Sequence, residues 1–499
     1  MVVRNGKKEK LVFQTVARPV RNQAEGCPRQ PTTRYHFPAK RFGVIATPLE
    51  ISSQKTLVSG KAGRQNQILK IEAADDPVSD VKRELSGSPH QKQWGLLRNH
   101  HNKGSLKGGI SMAEINDGKG IKVIAYYLPQ FHTIPENDRF WGKGFTEWTN
   151  TKKAKPLFPN HYQPKIPLNQ NYYNLMDDKV KIWQSDLAQR HGVFGFCYYH
   201  YWFQNGKKLL EKPAEQMLAN PEVTIPFCFS WANENWTKNW DGGNQELIVA
   251  QDYGGKKEWK SHLEYLLPFF RDKRYITLDG KPVFLIYKPE QIPQVDQMLE
   301  YWETEMQKQG FPGICFMIQN PNWYFSPSYQ MGRFSYQIKF HPFFAMAYTE
   351  EKMKKLRRLQ AAYRGLKPIH CQWMVERLFE AVKHKRQPAE KKQARLDYDR
   401  MWERIIRSKP SPKLIEGAFV DWDNTARTKT GLVHLGATPE KFYCYLSQLK
   451  EKVLRSGQQP VIFLNAWNEW AEGAYLEPDE KHGYAYLEQL SRVFPPEEG

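Results

Sequence analysis

Two glutamates three residues apart, Glu469 and Glu472 in the run NAWNEWAEG (465–473), are the residues whose type and spacing most directly suggest chemistry in this sequence. Glycosidic-bond chemistry needs two carboxyl groups beside one sugar, one to give a proton and one to act as base or nucleophile. In a helical turn, a spacing of three puts both side chains on one face, with Cβ atoms about 5–6 Å apart. At that range mutual repulsion raises one of the two pKa values, so that an acid and a base can coexist near neutral pH. An exposed glutamate pair at a helix start has the same spacing. The flanking Trp467, Asn468 and Trp470 favour the chemical reading.

Four other runs carry similar side chains. Tyr126, Tyr127 and His132 lie in YYLPQFH, and Glu147 and Trp148 follow in the loop WGKGFTEWTN. Tyr199, His200 and Trp202 lie in YYHYWF, and Trp231, Asn233, Glu234 and Trp236 in WANENWT. Asp421, Trp422 and Asp423 lie in DWDNT. Aromatic faces stack on the C–H faces of sugar rings, while carboxylates and amides bond sugar hydroxyls, so these residues are read as substrate-binding. Glu147 and Glu234 would bond hydroxyls or orient the catalytic pair. Asp421-Trp-Asp423 has the D-x-D form that holds a divalent metal in many nucleotide-sugar transferases. Asp397-Tyr-Asp399 matches the same short pattern, and neither a metal nor a cofactor is expected. His132 and His200 have no second ligand at metal spacing and are read as hydrogen-bonding groups. No G-x-S-x-G elbow indicates a serine nucleophile.

The elements that must position these residues alternate. Apolar strand-like runs at 121–131, 193–203, 223–236, 281–290, 313–320, 417–425 and 460–470 are separated by helical patterns at 177–192, near 208–219, near 256–271, and at 295–309, 440–456 and about 483–493. A sixth strand is weaker, over 334–340. Continuous apolar strands alternating with helices argue for a parallel sheet covered on both faces. Eight units favour an α/β fold of the closed (β/α)8 TIM-barrel type, whose sites lie at the C-terminal strand ends, where all five runs fall. No G-x-G-x-x-G turn follows the first strand.

The chain holds 73 Lys and Arg against 53 Asp and Glu. The excess is local: 21 against 10 over 1–120, and 19 against 7 over 351–413. The remainder is faintly acidic, which argues against a nucleic-acid partner. Residues 1–120 hold one of the 16 Trp and read as a basic, poorly structured N-terminal extension. The barrel is expected over 121–495, with a basic, partly helical insertion at about 344–413. The basic segments read as solvated faces or as surfaces for an anionic partner such as a membrane. Six cysteines without a CxxC pair read as free thiols in a reducing compartment. No run of about 18 apolar residues and no signal-peptide pattern occurs, so a cytoplasmic setting, or one peripheral to the inner membrane, is expected.

The runs IAYYLPQFHTIPENDRFWGKGFTEWTN, YYHYWF, WANENWT, VDWDNTAR and LNAWNEWAEGAYLEPD together resemble the WbsX-type family of polysaccharide and O-antigen biosynthesis clusters, over about 121–495. That family is often labelled glycosyltransferase, yet is similar to glycoside hydrolase family 99, the endo-α-mannosidases. The resemblance implies a (β/α)8 barrel and retaining chemistry on α-linked sugars without a metal. It implies that Glu469 deprotonates a sugar 2-OH, giving a 1,2-anhydro intermediate, and that Glu472 is acid and base at the leaving oxygen. Ala471 and the long insertion depart from the hydrolases. The expected partner is an oligosaccharide or polysaccharide of the cell surface, including a lipid-linked glycan at a membrane. The alternatives are a glycosyltransferase using an activated sugar donor and a non-catalytic saccharide-binding barrel.

Overall fold

A computed structural model describes residues 112–237, 246–384 and 393–496. They belong to a unit spanning 109–499. The expected low-order segment over 1–120 lies outside the described residues up to 111. Its last residues are ordered: Ala113–Glu114 pairs with Ile276–Thr277, and Glu114 accepts backbone hydrogen bonds from Asp279 and Gly280.

Eight parallel strands close on themselves. They are β1 (Lys122–Tyr127), β2 (Gly195–Trp202), β3 (Phe227–Trp231), β4 (Lys281–Ile286), β5 (Cys315–Ile318), β6 (Tyr336–Ile338), β7 (Leu414–Phe419) and β8 (Val461–Asn465). Each pairs with the next, and β8 returns to β1 with Val461 opposite Lys122. Every residue of β2 but Tyr199, of β4 but Lys281 and of β6 but Tyr336 is buried, as is the whole of the other five strands. Such continuous burial is what a sheet covered on both faces requires.

The covering helices include α1 (Glu147–Lys153), α2 (Asp178–Arg190), α3 (Lys212–Ala219), α4 (Lys256–Phe270), α5 (Val295–Lys308), α6 (Glu350–Gly365), α7 (Tyr398–Arg407), α8 (Pro439–Ser456) and α9 (Ala485–Val493). α2 starts where the Asp177 side chain accepts from the Lys179 N–H, which satisfies one unpaired first-turn donor. It gives way at Gly192, whose φ of +80° suits glycine and whose absent Cβ leaves room for the Phe494 carbonyl.

The seventh strand begins earlier than its apolar run indicates. Its pattern is interrupted by Glu416, which is fully buried with its carboxylate 2.6 Å from Lys339 Nζ and 2.9 Å from Lys452 Nζ. Lys339 and the buried Gln337 blur β6 for the same reason. DWDNT is therefore a loop beyond β7 rather than part of it. Within the expected insertion, α7 packs back on the barrel and serves as the helix of the sixth unit; Trp402 stacks on Phe419 of β7 and Tyr398 meets the same ring at a tilt. Cys197, Cys228 and Cys315 are buried free thiols. Among the described residues no helix is long and apolar enough to cross a membrane.

Candidate active site

The loop after β8 makes a two-residue strand, Asn468–Glu469, then a 3-10 turn, Trp470–Glu472, and returns through Ala474–Tyr475. In a 3-10 turn, residues i and i+3 eclipse, so Glu469 and Glu472 project to the same side. The turn closes at Gly473, with φ +63° and an ideal Cβ only 3.0 Å from the Asp423 backbone nitrogen. A side chain there would be strained in backbone and in packing at once.

Both carboxylates open into one cavity of about 310 Å³ at the C-terminal mouth of the barrel. Tyr199, Tyr201, Trp236, Tyr287, Phe343 and Trp422 contribute to its wall, with Glu234 and Arg427 among its polar groups. Tyr199 is held by a stacked Tyr126 ring at 5.8 Å and by Gln319, which donates to its hydroxyl at 3.1 Å. Tyr201 accepts from Gln130 at 2.9 Å and meets Trp236 edge-on at 5.0 Å. Glu234 is paired with Lys288.

Arg427 ties the carboxylates together. Its guanidinium donates to Glu472, to Glu147 at 2.7 Å and to Glu469 at 3.4 Å. Glu147 is almost fully buried and lies behind the pair. Burial pushes the Glu469 carboxyl well above the usual range, and the neighbouring Glu472 charge adds to this while Arg427 opposes it. Burial also raises Glu472, against the Arg427 charge.

Several expected residues support this cluster from outside the cavity. Asp423 accepts from Gln163 at 2.8 Å, bonds the His161 ring at 2.8 Å, and caps the turn before Arg427 by accepting from the Thr425 N–H at 3.1 Å. Its own N–H donates to the Glu472 carbonyl at 2.6 Å, which joins the seventh and eighth loops. Asp421 faces Lys165 at 3.6 Å. Asn468 grips Leu128 through both its N–H (2.7 Å) and its carbonyl (3.1 Å). Trp148 packs on Trp470 at 5.5 Å, and Trp470 donates to Glu477 at 2.7 Å. Asn233 bonds the Lys288 backbone on both sides, at 2.7 and 2.8 Å.

Others are not brought to the cavity. Tyr127 donates to Gln184 at 2.7 Å, behind the barrel wall. His200 lies 2.8 Å from His262, and burial lowers its pKa to about 3. Trp202 stacks on His262 at 4.5 Å, and Trp231 donates to the Trp202 carbonyl at 3.1 Å. His132 is buried with its pKa lowered to about 4, its Nδ1 3.1 Å from the Pro129 carbonyl. Trp467 is buried in the core against Phe196.

Sequence reasoning missed Arg427, Tyr287, Phe340 and Phe343 as cavity residues. Tyr287 directly follows β4 and Phe340 closely follows β6, so the strand-end rule could have found them. Arg427 stands six residues beyond Asp421 in a loop already singled out. Among the described residues no group of His, Cys, Asp and Glu is arranged to hold a metal ion.

Residues 123–490 match the family described as Glycosyltransferase WbsX. The chain belongs to the WbsX glycosyltransferase family. Two proteins named WxcX, both described as uncharacterized and from strains of Xanthomonas campestris pv. campestris, are 31% and 32% identical over 369 residues. The match covers 73% of this chain and 48% of each relative, so the chain spans about half the length of the curated relatives it matches. Among solved structures, a glycoside hydrolase-like protein aligns with a TM-score of 0.46 at 13% identity, over 78% of this chain and 97% of its own. The GH99 endo-alpha-mannosidase from Bacteroides thetaiotaomicron aligns with a TM-score of 0.42 at 14% identity, over 74% and 96%. The WbsX family is one of carbohydrate-active enzymes.

Proposed function

We propose that the cavity is the active site of a retaining enzyme that cleaves or transfers α-linked sugars in cell-surface polysaccharide metabolism, with Glu469 and Glu472 as its catalytic residues. The observation that carries this reading is that both carboxylates open into one sugar-sized, aromatic-walled cavity. In the scheme, Glu469 takes the proton of a sugar 2-OH as O2 attacks C1, and Glu472 protonates the departing glycosidic oxygen. Water or an acceptor hydroxyl then opens the 1,2-anhydro ring, with Glu472 receiving its proton and Glu469 returning one to O2. The scheme needs Glu472 protonated and Glu469 ionised, so substrate entry must loosen the Arg427 contact to Glu472.

A nucleotide-sugar donor is the second reading, from the family description. Three carboxylates around one guanidinium are poor company for a pyrophosphate, which favours a glycan donor. The substrate form we propose is a polysaccharide or lipid-linked glycan at the cytoplasmic face of a membrane. The test is a screen of glycan fragments read by mass, with wild-type and Glu472→Gln protein. Cleavage or transfer products should fall by about 10²–10⁴-fold in the variant, with fragment binding retained. Products that require a nucleotide sugar, or that are unchanged by Glu472→Gln, would overturn the reading.

A further inference from the structure

Between β6 and α7 the chain forms a helix, Trp373–His384, preceded by α6. At about 100° per residue, Met374, Leu378 and Val382 fall on one arc, with Val375 and Phe379 along its edge. Val375 is buried and Phe379 half-buried, so this edge rests on the fold. The rest of the arc does not: Met374 is 52% exposed, Leu378 59% and Val382 45%. Trp373, on the first turn, and Ile369, in the turn before the helix, are also exposed. A stripe of exposed apolar side chains on one helix arc marks an interaction site.

Its surroundings are basic. α6 exposes Lys352, Lys354, Arg357, Arg358 and Arg364 against Glu350 and Glu351, while the second helix exposes Arg377 between Glu376 and Glu380, so the excess of positive charge lies on α6. The two helices are linked where Tyr363 bonds Glu376. An exposed apolar stripe, with a tryptophan on the first turn of its helix and the lysines and arginines of the preceding helix, complements a surface in which hydrocarbon lies just beneath negative charge.

We propose that the exposed face of Trp373–His384, together with the basic residues of α6, docks this protein peripherally on an anionic phospholipid bilayer. The segment leaves the barrel at the C-terminal end of β6, the rim that holds the cavity. Phe340 and Phe343, at the root of the excursion, line that cavity. Docking there brings the cavity mouth to the membrane side of the molecule. This gives the lipid-linked form of the substrate, under the function proposed above, a physical route to the site.

The test uses the full chain and vesicle flotation. Phosphatidylcholine vesicles are compared with vesicles in which about one lipid in three is phosphatidylglycerol. Wild-type protein should float with the anionic vesicles, less so as salt rises, and stay behind with neutral ones. Met374→Asp with Leu378→Asp should reduce binding by at least about tenfold, since each apolar side chain withdrawn from the interface accounts for about that much. Lys354→Glu with Arg358→Glu should do the same while leaving the apolar face intact. All four positions are exposed, so the circular dichroism spectrum should not change. Equal flotation with both vesicle types, or with neither, overturns the proposal. So does concentration-dependent self-association lost in the Asp variant, which would show that a second copy covers this face. The vesicles carry no glycan, so failure here is distinct from failure of the glycoside chemistry.

Discussion

Arg427→Met removes the guanidinium shared by Glu147, Glu469 and Glu472 while keeping an apolar stem of similar reach. Breaking a buried ion pair by deleting one partner costs about 3–5 kcal/mol, because the other charge stays buried. Here the cost depends on pH, and its sign follows from the carboxyls. In the unfolded chain a glutamate titrates near 4.5, and in the folded protein burial holds Glu469 and Glu472 above that value. Losing the cation raises them further. Between the unfolded and folded values the folded state binds more protons than the unfolded chain. Stability in that window therefore falls as pH rises, by about 1.4 kcal/mol per unit per group. The deficit of the variant should be small just above the unfolded value, where the carboxyls can protonate, and grow as pH rises through the folded values. Urea unfolding followed by tryptophan fluorescence at several pH values measures it. A deficit that is constant with pH, or larger in acid, would refute the claim that Arg427 holds these groups ionised.

Three further outcomes follow from the same geometry. Glu416→Gln leaves the buried Lys339 and Lys452 without their carboxylate and should cost about 3–5 kcal/mol in a urea melt, whereas replacing all three together, Lys339→Met with Glu416→Leu and Lys452→Met, should cost much less. Gly473→Ala should lose about 1–2 kcal/mol of stability and most activity, since its φ of +63° and the Asp423 backbone at 3.0 Å both resist a Cβ; near wild-type turnover would show that the turn tolerates movement. Trp236→Leu should raise KM for an oligosaccharide about tenfold, the loss of roughly 1.4 kcal/mol of aromatic contact, with kcat little changed.

The barrel was legible because most strands are buried on both faces and read as unbroken apolar runs. It blurred at β6 and β7, where Lys339, Gln337 and Glu416 satisfy one another or their neighbours inside the fold, and a pattern of apolar residues is blind to such pairs. That Glu469 and Glu472 would face one cavity was legible from their spacing and their place after the last strand. The roles of their neighbours were less so. Tyr127 and His200 share runs with Tyr126 and Tyr199, yet alternate side chains of a strand face opposite ways, so Tyr127 and His200 serve the layer between barrel and helices. Asp423, read from the sequence as substrate-binding, caps the turn that presents Arg427. What a side chain does in a loop depends on the partner the fold brings to it, and that partner can be hundreds of residues away, as His161 is from Asp423.

The guanidinium of Arg427 also bears on inhibition. Basic azasugars owe much of their grip on glycosidases to a protonated ring nitrogen that imitates the positive charge growing at the anomeric carbon. In this cavity a cation already occupies the oxygens such a nitrogen would seek. Under the function proposed above, an azasugar must evict that resident charge before it gains anything from its own, so uncharged mimics of the proposed 1,2-anhydro intermediate should be the better starting point for a tight ligand.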